Sequence, residues 1–147
     1  PDGFAANARG AVNDGFAALK AAPFDGFPAL TQSTAEVAVA TELGIACVAS
    51  MREAVGPDVA VKIDAHSYFD VPLSIEVARR LEPHDLSWYE EPVPPQQVRD
   101  TKTIHDANVQ PMAGRQCPCG MQGFAPLCQQ RSVHFVVPDV MHLVGLP

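Results

Sequence analysis

Apolar positions in this chain follow two rhythms, short stretches of period two and longer stretches of period three to four. Val59, Val61 and Ile63 fall on one side of an extended segment, and Ala60, Lys62 and Asp64 on the other. That is the alternation of a strand. Val37, Thr41, Ile45, Val48, Met51 and Val55 recur at helical spacing, so one face of a long helix is almost wholly apolar. Ser33 and Glu36 form an S-x-x-E capping signature ahead of it, and Gly56-Pro57-Asp58 closes it.

Similar signals run along the rest of the chain. Residues 2–14 read as a helix that stops at Gly15, followed by a short apolar segment over 16–21 and a Pro- and Gly-rich loop, PFDGFPAL. Pro72 opens a helix through Leu81, with Leu73, Val77 and Leu81 at four-residue steps. Residues 86–90 form the next strand, closed by Pro92, Pro94 and Pro95, and a more polar helix covers 97–107. A strand over 110–114, a helix near 124–130 and a strand over 134–138 complete the pattern.

Alternating β and α elements without a hairpin signal predict a parallel sheet, either doubly wound or a β/α barrel. No G-x-G-x-x-G or P-loop occurs, which removes the usual sign of a nucleotide-binding open sheet. In a barrel, Val61 and Ile63 would pack under helices while Lys62 and Asp64 would face the axis. Closing a barrel takes eight strands, and about five are legible. The first residue is Pro1 rather than Met. The expectation is a single incomplete barrel domain over 1–147, the middle of something longer.

Composition narrows the partners. Apolar residues make up 47% and charged residues 18%, ordinary for a globular domain. A net charge of −7 offers no basic stripe for phosphates, so no nucleic-acid partner is expected. No apolar run approaches the roughly 20 residues of a membrane span, so no membrane partner is expected either. Cys47 lies in a helical pattern and reads as packing, and Cys117-Pro-Cys119 is a C-x-C pair with no second pair at zinc spacing. With Cys128 these make four cysteines, too few signals for a disulfide framework, and the expected setting is reducing and cytoplasmic.

The candidate chemistry lies in a spacing. Asp64 and Glu90 are 26 positions apart, and Gln116 is 26 beyond Glu90. Each sits at or just past the end of an apolar run. One strand, one helix and two loops per repeat would bring all three to one rim of the sheet. Oxygen ligands converging there can hold a hard dication such as Mg²⁺, although the third is an amide. Taken singly, Asp64 and Glu90 could be polar strand ends, Lys20 a solvated lysine and His66 a hydrogen-bonded loop histidine. Glu91 reads as structural, and His84, His105, His134 and His142 as structural or surface residues.

Four segments together resemble the enolase superfamily, in its mandelate racemase/muconate lactonizing branch: GFAALKAAPF at 15–24, VKIDAH at 61–66, WYEEPVPP at 88–95 and VVPDVMHLVG at 136–145. The resemblance covers nearly the whole chain and leaves the family's N-terminal capping domain and last barrel strands without a counterpart. It implies a partial barrel that binds Mg²⁺ and removes a proton α to a carboxylate. By position, Asp64, Glu90 and Gln116 match the metal ligands, and Lys20 matches the lysine ending the second barrel strand. Asp139 matches the Asp of a His–Asp dyad whose His would lie beyond residue 147.

Asp64-Ala65-His66 looks like the D-x-H of galactonate-type acid-sugar dehydratases, in which that His is a general acid. Lys20-Ala21-Ala22 gives only half of the racemase K-x-K. The resemblance therefore implies a sugar-acid dehydratase acting on a small-molecule sugar acid, with a homo-oligomer possible in the intact protein. Alternatives are a racemase or cycloisomerase of the same superfamily, or a degenerate barrel fragment without catalysis. Because Gln116 lacks a charge and the dyad is incomplete, the isolated chain is expected to have little or no activity.

Overall fold

The computed structural model describes residues 1–115 and 120–138, which leaves Gln116, Cys117, Cys119, Asp139 and His142 outside the described residues. In order, the elements are α1 (Asp2–Asn13), β1 (Ala18–Ala21), α2 (Thr34–Val55), β2 (Ala60–Asp64) and α3 (Val71–Leu81). A 3₁₀ turn (Glu82–His84) follows, then β3 (Trp88–Glu90), α4 (Val98–Ala107), β4 (Met112–Arg115), α5 (Gly120–Gln129) and β5 (Phe135–Val137). The five strands form one sheet in the order β1-β2-β3-β4-β5, and every pairing is parallel.

That order decides between the two architectures the sequence allowed. A doubly wound sheet reverses its strand order part-way, which sends helices to both faces. Here each strand adds beside the last without reversal, and same-handed crossovers then put the helices on one face. The other face is the inside of a barrel segment. The expected partial β/α barrel is the fold.

The helix-covered face carries the core. Val61 and Ile63 of β2 and Tyr89 of β3 are fully buried among Val48 and Met51 of α2 and Val77 and Leu81 of α3. A second small cluster joins Val93, Ile104 and Met112. Ser33 caps α2, its Oγ accepting from Ala35 N–H at 3.2 Å, and Gly56 ends it at φ 74°, a left-handed conformation glycine adopts freely. The start of α3 is set by Asp70, whose carboxylate accepts from Leu73 N–H at 2.9 Å. Pro72 follows within the first turn.

At 22 residues, with a mean hydropathy of 1.4 in its most apolar window, α2 is long and apolar enough to cross a membrane by length and composition. The run of apolar residues in sequence looked shorter because Thr41, Glu42 and Gly44 interrupt it. In this fold those breaks have uses. Thr41 bonds back to the Val37 carbonyl at 2.8 Å, Glu42 pairs with Arg80 of α3 at 2.7 Å, and Gly44 admits Phe24.

Arg52 ties together the end of the sheet where the strands begin. Its guanidinium donates to the carbonyls of Gly56, Val59, His84 and Asp85 at 2.7–2.8 Å. One side chain therefore anchors the entries to both β2 and β3.

Phe24 stands edge-on to Phe69 at 5.0 Å, and Phe27 to the same ring at 5.1 Å. This aromatic cluster underlies the loop after β1. A Cβ at Gly44 would clash with the edge of the Phe24 ring. Gly44→Ala should therefore destabilise by about 1–3 kcal/mol through overpacking, although alanine is the better helix former by about 1 kcal/mol. Urea unfolding checks this, and a stabilised variant would show that the α2–Phe24 approach is looser than described.

Candidate metal and acid–base centre

Alternation along each strand sorts the polar residues onto the inner face. Lys20 is in register with Lys62, Lys62 with Trp88, and Asp64 with Glu90. Asp64 and Glu90 are the last residues of their strands, so both carboxylates stand at the same rim, side by side. Both are almost completely buried, at 2% and 0% exposure.

Lys20 lies between them. Its Nζ donates to Asp64 Oδ2 at 3.1 Å and to Glu90 Oε2 at 3.0 Å. Burial works against the ammonium, but the bonds to Glu90 and Asp64 outweigh it and raise the Lys20 pKa above its ordinary 10.5. A cation shared by two buried carboxylates occupies the position that electrostatics demands there.

His66 joins the same group. Its Nε2 lies 3.2 Å from Asp64 Oδ2, and its Nδ1 lies 2.6 Å from Asp25 Oδ1. An ionised carboxylate only accepts, so both contacts are hydrogen bonds only when both ring nitrogens carry hydrogen. His66 N–H also donates to Asp64 Oδ1 at 3.2 Å. Asp25 was not among the sequence candidates. It sits in the Phe24–Phe27 loop, 41 residues from His66 in sequence, and no local motif signals that contact.

Backbone geometry at the rim is unusual. His66, Ser67 and Glu91 have φ of 50°, 60° and 42°, a left-handed region that L-residues with side chains rarely adopt. Neighbouring bonds hold them there. Ser67 N–H donates to the Glu91 carbonyl and Ser67 Oγ to Glu91 Oε1, both at 2.8 Å, and Ala65 N–H donates to the Glu90 carbonyl at 2.9 Å. Glu91 thus fastens the loop after β2 to the loop after β3 through Ser67.

Two more side chains share the inner face. Trp88 Nε1 donates to Glu90 Oε2 at 3.1 Å, and Lys62 Nζ lies 4.2 Å above the indole. By contrast, His84 and His134 are at the other end of the strands. The His84 carbonyl is held by Arg52, and His134 Nδ1 accepts from Met112 N–H at 3.1 Å while its ring stacks on His105 at 4.7 Å. Burial, then the neighbouring His105, hold His134 below its ordinary pKa of 6.5.

A family model, enolase C-terminal domain-like, matches residues 3–147. The chain belongs to the enolase superfamily. A D-gluconate dehydratase of Thermoproteus tenax is 37% identical over 93 residues, 63% of this chain and 18% of that protein. A D-galactarolactone cycloisomerase of Agrobacterium fabrum is 28% identical over 105 residues, 71% of this chain and 28% of that protein. The chain thus spans less than a third of these relatives' length.

Among solved structures, a mandelate racemase/muconate lactonizing enzyme-like protein of Rubrobacter xylanophilus superposes with a TM-score of 0.84 at 35% identity, over 98% of this chain and 37% of that one. A dipeptide epimerase of Enterococcus faecalis superposes at 0.81 with 22% identity, over 97% of this chain and 37% of that one, a likeness of fold alone.

Metal chemistry can be judged from the donors present. Asp64 and Glu90 offer hard oxygens on adjacent strand ends, and Glu90 Oε1 is buried without a hydrogen-bond partner among the described residues. That donor set suits a hard dication. Among the described residues no group of three or more His, Cys, Asp or Glu is placed to hold a metal ion. Gln116, the third ligand expected from the sequence, lies outside those residues.

Lys20→Met removes the ammonium that two buried carboxylates share. Breaking a buried pair costs about 3–5 kcal/mol. With 41% of the Lys20 side chain exposed, solvent screening reduces the expected loss to about 1–3 kcal/mol. The folded-state pKa is raised, so this stabilisation is complete below the ordinary value of 10.5 and disappears as pH rises through the folded value. Urea unfolding of both chains between pH 7 and pH 12 checks it, with the wild-type advantage level up to about 10.5 and shrinking above it. A wild-type advantage that stays constant across that range would contradict the ion-pair account.

Proposed function

We propose that this chain forms the ligand-bearing rim of an Mg²⁺-dependent sugar-acid dehydratase. The observation that carries the reading is the in-register Asp64–Glu90 pair with His66 Nε2 at 3.2 Å from Asp64. An acid for the leaving hydroxyl is then adjacent to the oxygens that would hold the metal. Similarity to proteins named as dehydratases of gluconate, arabinonate and xylonate supports the same reading.

Asp64 and Glu90 would hold Mg²⁺, with an oxygen from Gln116 as third ligand. When bound, the metal supplies positive charge to the substrate carboxylate as the α proton leaves. A base that the resemblance pairs with Asp139, and that is none of the described residues, would take the proton at C2 of the sugar acid, and the C2–H electron pair would form a C2=C3 bond as the C3–O bond breaks. His66 Nε2 gives its proton to the departing hydroxyl, which leaves as water. The enol that remains tautomerises to a 2-keto-3-deoxy acid. Lys20, freed from the carboxylates, would pair with the substrate's negative charge. Asp25 orients His66 from its far side.

The rim has features that weaken it in the chain as given. Gln116 contributes an oxygen without a charge, and one unit pair at 4 Å is roughly 4 kcal/mol at an effective dielectric near 20 before water compensates. The inner face of the five-strand sheet is also open, with Phe135 45% exposed. Little turnover is therefore expected from these 147 residues. A second reading, a lactone cycloisomerase of the same superfamily, is favoured by the Agrobacterium fabrum relative. A third, a rim that binds metal without catalysis, is favoured by Gln116 itself.

The test is 2-keto-3-deoxy acid formation from a panel of sugar acids, with Mg²⁺ and with chelator, alongside Mg²⁺ calorimetry. Gln116→Glu should tighten Mg²⁺ by about tenfold or more while adding little turnover. Metal-dependent dehydration by the unmodified chain would show that the third ligand or the base has been misplaced. Lactone conversion without keto-acid formation would favour the cycloisomerase.

A further inference from the structure

The geometry points to Trp88 as a positioning residue for Glu90, its indole N–H holding one carboxylate oxygen so that the other faces a divalent cation. This inference rests on the metal reading above and goes beyond it in saying how one ligand is aimed. Trp88 and Glu90 are two residues apart on β3, so both project from the inner face. The indole nitrogen is 3.1 Å from Glu90 Oε2, and that same oxygen accepts from Lys20 Nζ at 3.0 Å. Oε1 of the same carboxylate is buried and has no hydrogen-bond partner among the described residues. The two oxygens of Glu90 are thus sharply unequal.

The two donors on Oε2 also differ in kind. Lys20 is a cation, and an arriving dication repels it. The indole N–H is neutral, cannot ionise in this range and cannot accept, so it remains compatible with a cation on the opposite oxygen. With Oε2 held by Trp88, Oε1 would be the oxygen Glu90 offers to a dication, and Lys20 would be free to leave.

The ring is itself held on the inner face. Lys62, in register with Trp88 on β2, places Nζ 4.2 Å from the ring centroid. This attraction acts through the ring face and leaves the N–H for Glu90. Phe135 of β5 meets the indole at 5.4 Å with planes inclined at 44°. The ring therefore carries its orientation from β2 and β5 to the ligand on β3.

Trp88 is the single tryptophan of the 147-residue chain, so its indole N–H gives one cross-peak in a ¹⁵N-correlated NMR spectrum. Without metal, Glu90→Gln should move that indole proton upfield as a charged acceptor becomes neutral. Trp88→Phe keeps a ring beside Lys62 and Phe135 and removes the N–H. Its Mn²⁺ affinity, read as free Mn²⁺ by electron paramagnetic resonance, should fall about tenfold, as losses of outer-shell partners do. Mn²⁺ affinity within twofold of wild type overturns the positioning role and leaves the metal site standing. No Mn²⁺ binding by the wild-type chain overturns the metal reading and this inference with it. An indole resonance unmoved in Glu90→Gln removes the hydrogen bond and overturns the inference alone, whether or not Trp88→Phe folds.

Discussion

Two carboxylates buried beside each other on neighbouring parallel strands need a cation, and most of the rim follows from how that need is met. Adjacent strands lie about 4.8 Å apart, and the register sets Asp64 directly against Glu90. Neither is exposed enough for water to screen their repulsion. Lys20, arriving from the next strand, supplies one positive charge to both. A single ammonium is enough to stabilise the fold, and it is a weaker partner than a dication would be. The same place can therefore be stable without metal and still attractive to it.

Around this centre the chain accepts unfavourable backbone conformations. Left-handed residues with side chains cost of order 1–3 kcal/mol each and persist where the surroundings over-determine them. Three occur here, at His66, Ser67 and Glu91, and the Ser67–Glu91 bonds hold the two loops as one unit. The result is that the His66 ring turns back over Asp64 instead of outward. At the opposite end Arg52 fixes the entries of β2 and β3. The two strands that carry Asp64 and Glu90 are thus constrained at both ends, which keeps the spacing of the carboxylates.

Much of this was legible in the residues. Period-two alternation placed Lys62 and Asp64 on the face opposite Val61 and Ile63, and the constant step from Asp64 to Glu90 announced neighbouring strand ends. Strand order was not legible, because a βα rhythm is compatible with both a doubly wound sheet and a barrel until the side taken by each helix is known. The Asp25–His66 contact and the Arg52 bonds were also hidden. They join segments distant in sequence through side chains whose local context is that of an ordinary loop or helix. The bond from Trp88 was hidden too, because only three dimensions show its N–H directed at Glu90. Pro72 marks the start of α3 in the sequence, whereas the cap itself is Asp70, whose carboxylate accepts from Leu73 N–H. Gln116 and Asp139 lie outside the described residues, so their roles rest on the resemblance alone.

Under the proposed function, Asp64 and Glu90 form one cation site, filled by Lys20 until a dication replaces it. A crystal of the chain soaked in Mn²⁺ and recorded at the manganese absorption edge tests this most directly. The account predicts one anomalous peak at the β2–β3 rim, roughly 2.1–2.2 Å from an oxygen of each carboxylate, with Lys20 Nζ withdrawn from between them. A peak elsewhere, or none while Lys20 still bridges the pair at high Mn²⁺, would contradict it.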